Sequence, residues 1–394
     1  MTLRHGRELL AIPGPTTVPD AVLNAMHRQP IDIYEGELLS ITDRCLRELR
    51  RVFSTEHPVY LYIANGHGAW EAALTNVLSL GDQVLVLESG RFAVGWGRMA
   101  QALGAEVLTL PGSLRAAVDP AAVEARLRAD TAGRIRAILV VQVDTATGVV
   151  NDIPAIRAAI DASGHGALLM VDVIASLACM PFEMDAWRVD VAIGASQKGL
   201  MMPPGLGFCA AGARARAAHQ RADLRTRYWD WSERDGPEHY QKYCGTAPEH
   251  MLFALDKALQ ILFDEGLDNV YRRHRLLAGA VQSAVAAWSE GAAIEFNILA
   301  PAERADSITS VRMSAGYSPD ALRAFCRDIC GVTLGSGIGD LGGKAFRIAH
   351  MGHVNAPMVL GTLGCIELGL KALSMPHGRS GVEAAVAWLG TALA

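Results

Sequence analysis

Between about residues 59 and 210 the sequence alternates continuous Val/Ile/Leu runs with amphipathic stretches, and this rhythm leaves few folds open. VYLYIA (59–64) precedes WEAALTNVL, QVLVLE (83–88) precedes GWGRMAQAL, and AILVVQV (137–143) precedes IPAIRAAIDAS. ALLMVDV (167–173) and VDVAIGAS (189–196) follow. A strand with one wet face alternates apolar and polar residues, whereas a strand covered on both faces reads as an unbroken apolar run. The pattern predicts an α/β large domain with a mainly parallel sheet, and functional residues at the carboxyl ends of its strands.

Past the aromatic and charged loop RTRYWDWSERDGPEHYQKY, helical periodicity extends from about Pro248 to Trp288, with a break near Glu265 and Gly266. It gives way to ITSVRM (308–313), helix-like PDALRAFCRDI, glycine-rich GSGIGDLGG, strand-like AFRIAHM and a helix opening near Asn355. This reads as a smaller C-terminal α+β domain. The expected division is 1–285, N-terminal segment included, for the large domain and 286–394 for the small one.

Composition narrows the partners. Of 394 residues, 51% are hydrophobic and 20% charged, a globular balance. Lys plus Arg is 36 and Asp plus Glu is 41, so the net charge is 36 − 41 = −5 and gives no electrostatic reason to expect nucleic acid or an anionic membrane as the main partner. No apolar run reaches the roughly 18–20 residues that span a bilayer, and MTLRHGRELLAIPGP lacks the features of a signal peptide. A cytoplasmic location is expected. The cysteines number seven, without a CxxC pair, which argues against a disulfide framework and a structural zinc site.

Asp172 ends one predicted buried strand and Lys198 lies just beyond another, so both reach one edge of the sheet. An arbitrary Asp and Lys would be an ion pair. In apolar surroundings at strand ends they meet the needs of pyridoxal phosphate chemistry, a lysine for the Schiff base and a carboxylate that keeps the pyridine nitrogen protonated. IANGHGAWEAAL places Asn65, Gly66, His67 and Gly68 between a strand and a helix, where main-chain N–H groups can meet a phosphate. No GK[ST] follows, so it is not a Walker loop, and no GxGxxG follows an early strand, which disfavours a dinucleotide-dependent dehydrogenase.

Taken in order, PGPTTVP, NGHGAWEAAL, GRF with GWGRMA, DTATGV, VDVIAS, SQKG and FRIAHMGHVN resemble the class V, fold-type I aminotransferases, within them the alanine/serine–glyoxylate aminotransferase group. The resemblance spans nearly the whole chain and implies pyridoxal 5′-phosphate as cofactor. It implies Lys198 as the Schiff-base lysine and proton shuttle, Asp172 at the pyridine nitrogen, and Phe92 stacked on the ring where the family often has Trp. Thr145 or Thr147 would offer a hydroxyl to the ring, with Thr145 favoured. Gly66, His67, Gly68 and Gln197 would hold the phosphate, joined by Tyr243 and Thr246 from a partner subunit, which makes a homodimer with shared active sites a condition of activity. Arg347 would grip the substrate α-carboxylate bidentately, as a lysine cannot. Where relatives often carry a basic patch in the early loop, this chain has Ile33, Tyr34 and Glu35, and Tyr34 becomes a candidate substrate contact.

The resulting expectation is transamination between a small amino acid (alanine, serine or aspartate-like) and an oxo acid such as glyoxylate or pyruvate. A lyase or desulfurase of the same fold would need a thiol in the small-domain loop, and Gly335 to Gly343 holds none. A non-catalytic pyridoxal-phosphate-binding protein would have no use for Lys198, Asp172 and Arg347 together. His350 and His353 form an HxxH without a third ligand at metal spacing, which favours a structural role. Cys326 and Cys330, one helical turn apart, read as helix-face residues, and the glycine run as a mobile turn.

Overall fold

The computed structural model describes residues 2–394. Its main sheet has seven strands in the order Val59–Ile63, Leu206–Ala211, Val191–Ala195, Leu168–Asp172, Ile135–Val141, Gln83–Leu87 and Glu106–Leu110. All run parallel except Leu206–Ala211, which is antiparallel to both its neighbours. This is the α/β architecture expected from the unbroken apolar runs.

Burial on both faces follows strand alternation. In Leu168–Asp172, Leu169 and Val171 join one apolar core with the helices Glu37–Phe53, Pro120–Arg128, Ile153–Ser163 and Glu249–Glu265. Leu168 and Met170 point into a second core with Gly66–Val77 and Arg91–Ala102. Each fully buried aliphatic side chain contributes about 1.5–3 kcal/mol, so the register is strongly specified. A one-residue slip would exchange the two faces and carry the strand's last residue, Asp172, away from its place between Val141 and Ile193.

A second sheet has five strands in the order Leu9–Ala11, Val332–Ser336, Ala345–Ala349, Ile308–Met313 and Ile294–Phe296. The helices Leu267–Trp288, Ala356–Ala372 and Gly381–Leu393 cover it around Val281, Trp288, Phe346, Leu363 and Leu389. Two details differ from the sequence reading. Leu9–Ala11, assigned with the large domain, pairs in parallel with Val332–Ser336, because there its backbone groups find ladder partners along one side. Gly335 likewise belongs to a strand, so the turn is confined to the residues after Ser336, including the short helix Gly339–Leu341. The cores also meet within one helix, Val270 in the large core and Leu277 in the small one. Among the described residues no helix is long and apolar enough to cross a membrane.

Candidate active site

The strands ending at Val141, Asp172 and Ala195 open onto a cavity of about 290 Å³ at the carboxyl edge of the main sheet. Gly66, His67, Phe92, Thr145, Asp172, Gln197 and Lys198, all singled out in the sequence, line it together with Gly14, Trp70 and Ile174. Residues scattered over more than a hundred positions meet because parallel strands deliver every crossover loop to one edge.

Asp172 is 3% exposed. Its Oδ1 accepts from the Ile174 N–H at 2.7 Å and its Oδ2 from the Trp70 indole at 2.7 Å. Burial pushes its pKa up to about 7, against the lowering effect of these two bonds and of Lys198. Trp70 is itself stacked on Trp96, with centroids 5.9 Å apart and planes 16° from parallel, so the donor is held in place. The sequence reading missed Trp70. Its signal was position: three residues after His67 on one helix, it shares that residue's face.

Lys198 lies across the cavity, its pKa lowered to about 8 by burial and by the charge of Arg347, with Asp172 working in the opposite direction. Its Nζ donates to the carbonyl of Pro13. The chain start crosses so close to this lysine that only glycine suits position 14: its φ is +98° and a Cβ would lie 2.6 Å from Lys198 Cε. Thr16 binds the same segment, its Oγ1 donating to the Lys198 carbonyl at 2.9 Å.

At the other end of the cavity Asn65 caps the helix Gly66–Val77, its Oδ1 accepting from the N–H groups of His67 (3.1 Å) and Gly68 (3.2 Å). The donors assigned to a phosphate thus have a side-chain partner of their own, and Gly68 does not line the cavity. Burial and the nearby Arg91 lower the His67 pKa. Gln197 Oε1 is buried without a partner. An amide can present either its oxygen or its NH₂ group, so this end has an uncommitted polar group facing the cavity.

Phe92 sits on the first turn of Arg91–Ala102, edge-on to Trp70 with centroids 6.4 Å apart. The Thr147 hydroxyl donates to Ser89 O at 3.0 Å, which leaves Thr145 as the threonine on the cavity wall. Arg347, 7% exposed, lies behind Thr145 and not on the wall. Its Nε donates to Ser336 O at 2.6 Å and its Nη1 to Thr145 O at 2.8 Å. Burial lowers its pKa to about 10, with Asp144 opposing the shift.

Three more expected residues lie off the cavity wall. Tyr243 is 1% exposed, and its hydroxyl pairs with Thr42 Oγ1 at 2.6 Å, so the side chain expected to reach a neighbouring subunit is held inside its own core. Thr246 is exposed and outside the cavity. Tyr34 is 69% exposed, away from the cavity lining. His350 is fully buried between Thr309 Oγ1 (3.0 Å) and Asp306 O (2.8 Å), a structural arrangement.

The donor set fits pyridoxal phosphate: a buried amine with a lowered pKa, a buried carboxyl steadied by an indole N–H, an aromatic wall and an orphaned amide. A lysine and a carboxylate so placed at the carboxyl edge of a mainly parallel sheet, with a smaller α+β domain alongside, define a fold-type I pyridoxal-phosphate enzyme. The model of the family Aminotransferase class-V matches residues 12–341, and the chain belongs to that family. It is a pyridoxal-phosphate-dependent aminotransferase. It is 38% identical to the serine–glyoxylate aminotransferase of Methylorubrum extorquens over 98% of this chain and 97% of that one. It is 34% identical to the L-aspartate–glyoxylate aminotransferase of Paracoccus denitrificans, covering 95% and 94%. The crystal structure of pyridoxamine–pyruvate aminotransferase from Mesorhizobium loti superimposes with a TM-score of 0.91 at 26% identity, covering 99% of this chain and 100% of that one.

Proposed function

We propose that the cofactor attaches at Lys198, that Asp172 faces its ring nitrogen, and that the chain moves an amino group from alanine, serine or an aspartate-like donor to glyoxylate or pyruvate. The observation that carries this reading is the meeting, in one cavity, of an amine whose pKa falls to about 8 and a carboxyl whose pKa rises to about 7. When bound, the cofactor supplies a ring that accepts the electron pair of the breaking Cα–H bond.

The protein's own groups do the rest. Lys198 Nζ, uncharged above about pH 8, is the base that takes the proton from the substrate Cα. Asp172 holds a proton at the ring nitrogen, its charge favoured by Trp70 and Ile174. Phe92 presents an aromatic face to the ring, and Thr145 a hydroxyl to its edge. Gly66, His67 and Gln197 hold the phosphate, with the N–H of Gly68 available once Asn65 yields it. Arg347 aligns the substrate carboxylate: two carbonyls fix the plane of its guanidinium, and Nη2 has no protein partner among the described residues. Cys179, packed against Gly199, is buried with its pKa pushed up to about 12 and off the cavity wall, which gives no support to a desulfurase. We assign the chain to the cytoplasm, and we read it as a homodimer with shared sites, the second reading being supported by the exposure of Thr246 outside its own cavity.

The test is a two-stage panel. Amino acids are mixed singly with the loaded enzyme while the cofactor absorbance is followed, and oxo acids are then supplied for the return half. The reading expects conversion by alanine, serine or aspartate and recovery by glyoxylate or pyruvate. Borohydride reduction that leaves no pyridoxyl mass on the Lys198 peptide would overturn it.

A further inference from the structure

We infer that Asp144 is the positioning residue that sets Phe92 and Arg347 relative to one another across the seam between the two domains. The inference rests on the roles proposed above for those two residues. Asp144 is fully buried. Its Oδ2 accepts from the main-chain N–H groups of Phe92 (2.9 Å) and Ala93 (3.2 Å), and its Oδ1 from that of Ala146 (2.9 Å).

The helix Arg91–Ala102 begins at Gly90, which has no side chain to cap it. Its first N–H groups need an acceptor, and a carboxylate at the positive end of the helix is the strongest one available. Asp144 provides it from the two-residue strand Val143–Asp144, distant in sequence, and thereby fixes the turn that carries Phe92. The glycine at 90 follows from the same contact. Its φ of 161° is extended backbone open to any residue, yet a Cβ there would lie 2.4 Å from Asp144 Cγ, and its three nearest neighbours are all atoms of the Asp144 carboxyl group.

The residue that follows Asp144 holds Arg347. The guanidinium donates to the carbonyl of Thr145, the very next residue, from the strand Ala345–Ala349 of the smaller sheet. The Asp144 charge counters part of the cost of burying this cation. One carboxylate therefore fixes the helix of the ring-stacking residue by hydrogen bonds, and the residue next to it holds the carboxylate-binding arginine through its carbonyl. The charge of Asp144 also raises the pKa of Asp172, the acid on the cavity wall, so two buried acids with separate tasks act on one another.

Two variants test this. Asp144→Asn keeps the volume but withdraws the charge and turns an NH₂ toward at least one of the three N–H donors. Gly90→Ala keeps the carboxylate and displaces it. Both are expected to raise KM for the amino acid about tenfold in the half-reaction, with a smaller change in kcat, since a hydrogen bond to a charged group is lost. Both are also expected to weaken binding of pyridoxal phosphate to the cofactor-free protein by about tenfold, read by tryptophan quenching. If both variants lower only the melting temperature and leave KM and cofactor affinity as in the parent, Asp144 is a helix cap and nothing more, and the inference is overturned. Should Asp144→Asn fail to fold, Gly90→Ala decides alone. Arg347→Lys is measured alongside: an unchanged KM there removes the arginine's role and that half of the inference, while the cofactor-affinity arm still decides the half that concerns Phe92.

Discussion

The indole Nε1 of Trp70 donates to Asp172 Oδ2 across 2.7 Å, tying the helix Gly66–Val77 to the strand that ends beneath it. The bond favours the ionised acid, so losing it raises the Asp172 pKa further. Trp70→Phe keeps an aromatic against Trp96 and removes the donor. Its affinity for pyridoxal phosphate should fall by roughly tenfold, the lower end of what a hydrogen bond to a charged acceptor, worth about 1.5–3 kcal/mol, would give. Equilibrium titration of the cofactor-free protein measures this, and an unchanged dissociation constant would assign the indole to packing alone.

Attachment of the cofactor should be pH-dependent with a definite sign. The nucleophile is the neutral amine, and the Lys198 pKa is lowered from 10.5 to about 8. The rate of attachment to the cofactor-free protein should therefore rise as pH passes through about 8 and level off above it. Stability follows the same group. Between about pH 8 and 10.5 the unfolded chain binds the proton that the native lysine has released, so the cofactor-free protein gains stability as pH rises across that window and loses it as pH falls back through 8. Stopped-flow absorbance and melting curves at stepped pH check both statements, and a flat rate profile would contradict the first.

Removing the amine separates binding from turnover. Lys198→Ala should lower the half-reaction rate by at least about a thousandfold, in the range that loss of a general base and covalent anchor produces. The pyridoxamine form should still bind, because Asp172, Phe92 and the phosphate-end groups are untouched. Single-turnover absorbance reads the first effect and equilibrium dialysis the second.

The residue after the lysine has no room for a side chain. A Cβ on Gly199 would lie 2.1 Å from the carbonyl oxygen of Leu177, and backbone cannot rotate aside. Gly199→Ala should cost about 1–3 kcal/mol of stability, the range for an overpacked core. Urea denaturation measures it, and a variant as stable as the parent would mean that the two segments do not touch.

The parts of this site legible in the sequence were those that local pattern places. Asp172 and Lys198 each follow an apolar run, and a parallel sheet sends both to one edge whatever the details of packing. What stayed hidden depends on partners far apart in the chain. Nothing near residue 9 announces pairing with Val332–Ser336, because three apolar residues carry too little periodicity to choose a sheet. Trp70 and Asp144 read as one more helix aromatic and one more turn acid, since their roles arise from hydrogen bonds made across the fold. The role of Tyr243 was carried by the family resemblance, which does not encode that its hydroxyl meets Thr42.

The pairing of the chain start with Val332–Ser336 imposes an order of events on biosynthesis. Residues 9–11 are made early and 332–336 late, yet they are neighbours in one sheet. While most of the polypeptide is being translated, Leu9–Ala11 has no strand to pair with, although Thr16 can already bind the backbone of Gln197 and Lys198. The large domain can assemble its own sheet in that interval, while the pairing of Leu9–Ala11 waits for Val332–Ser336.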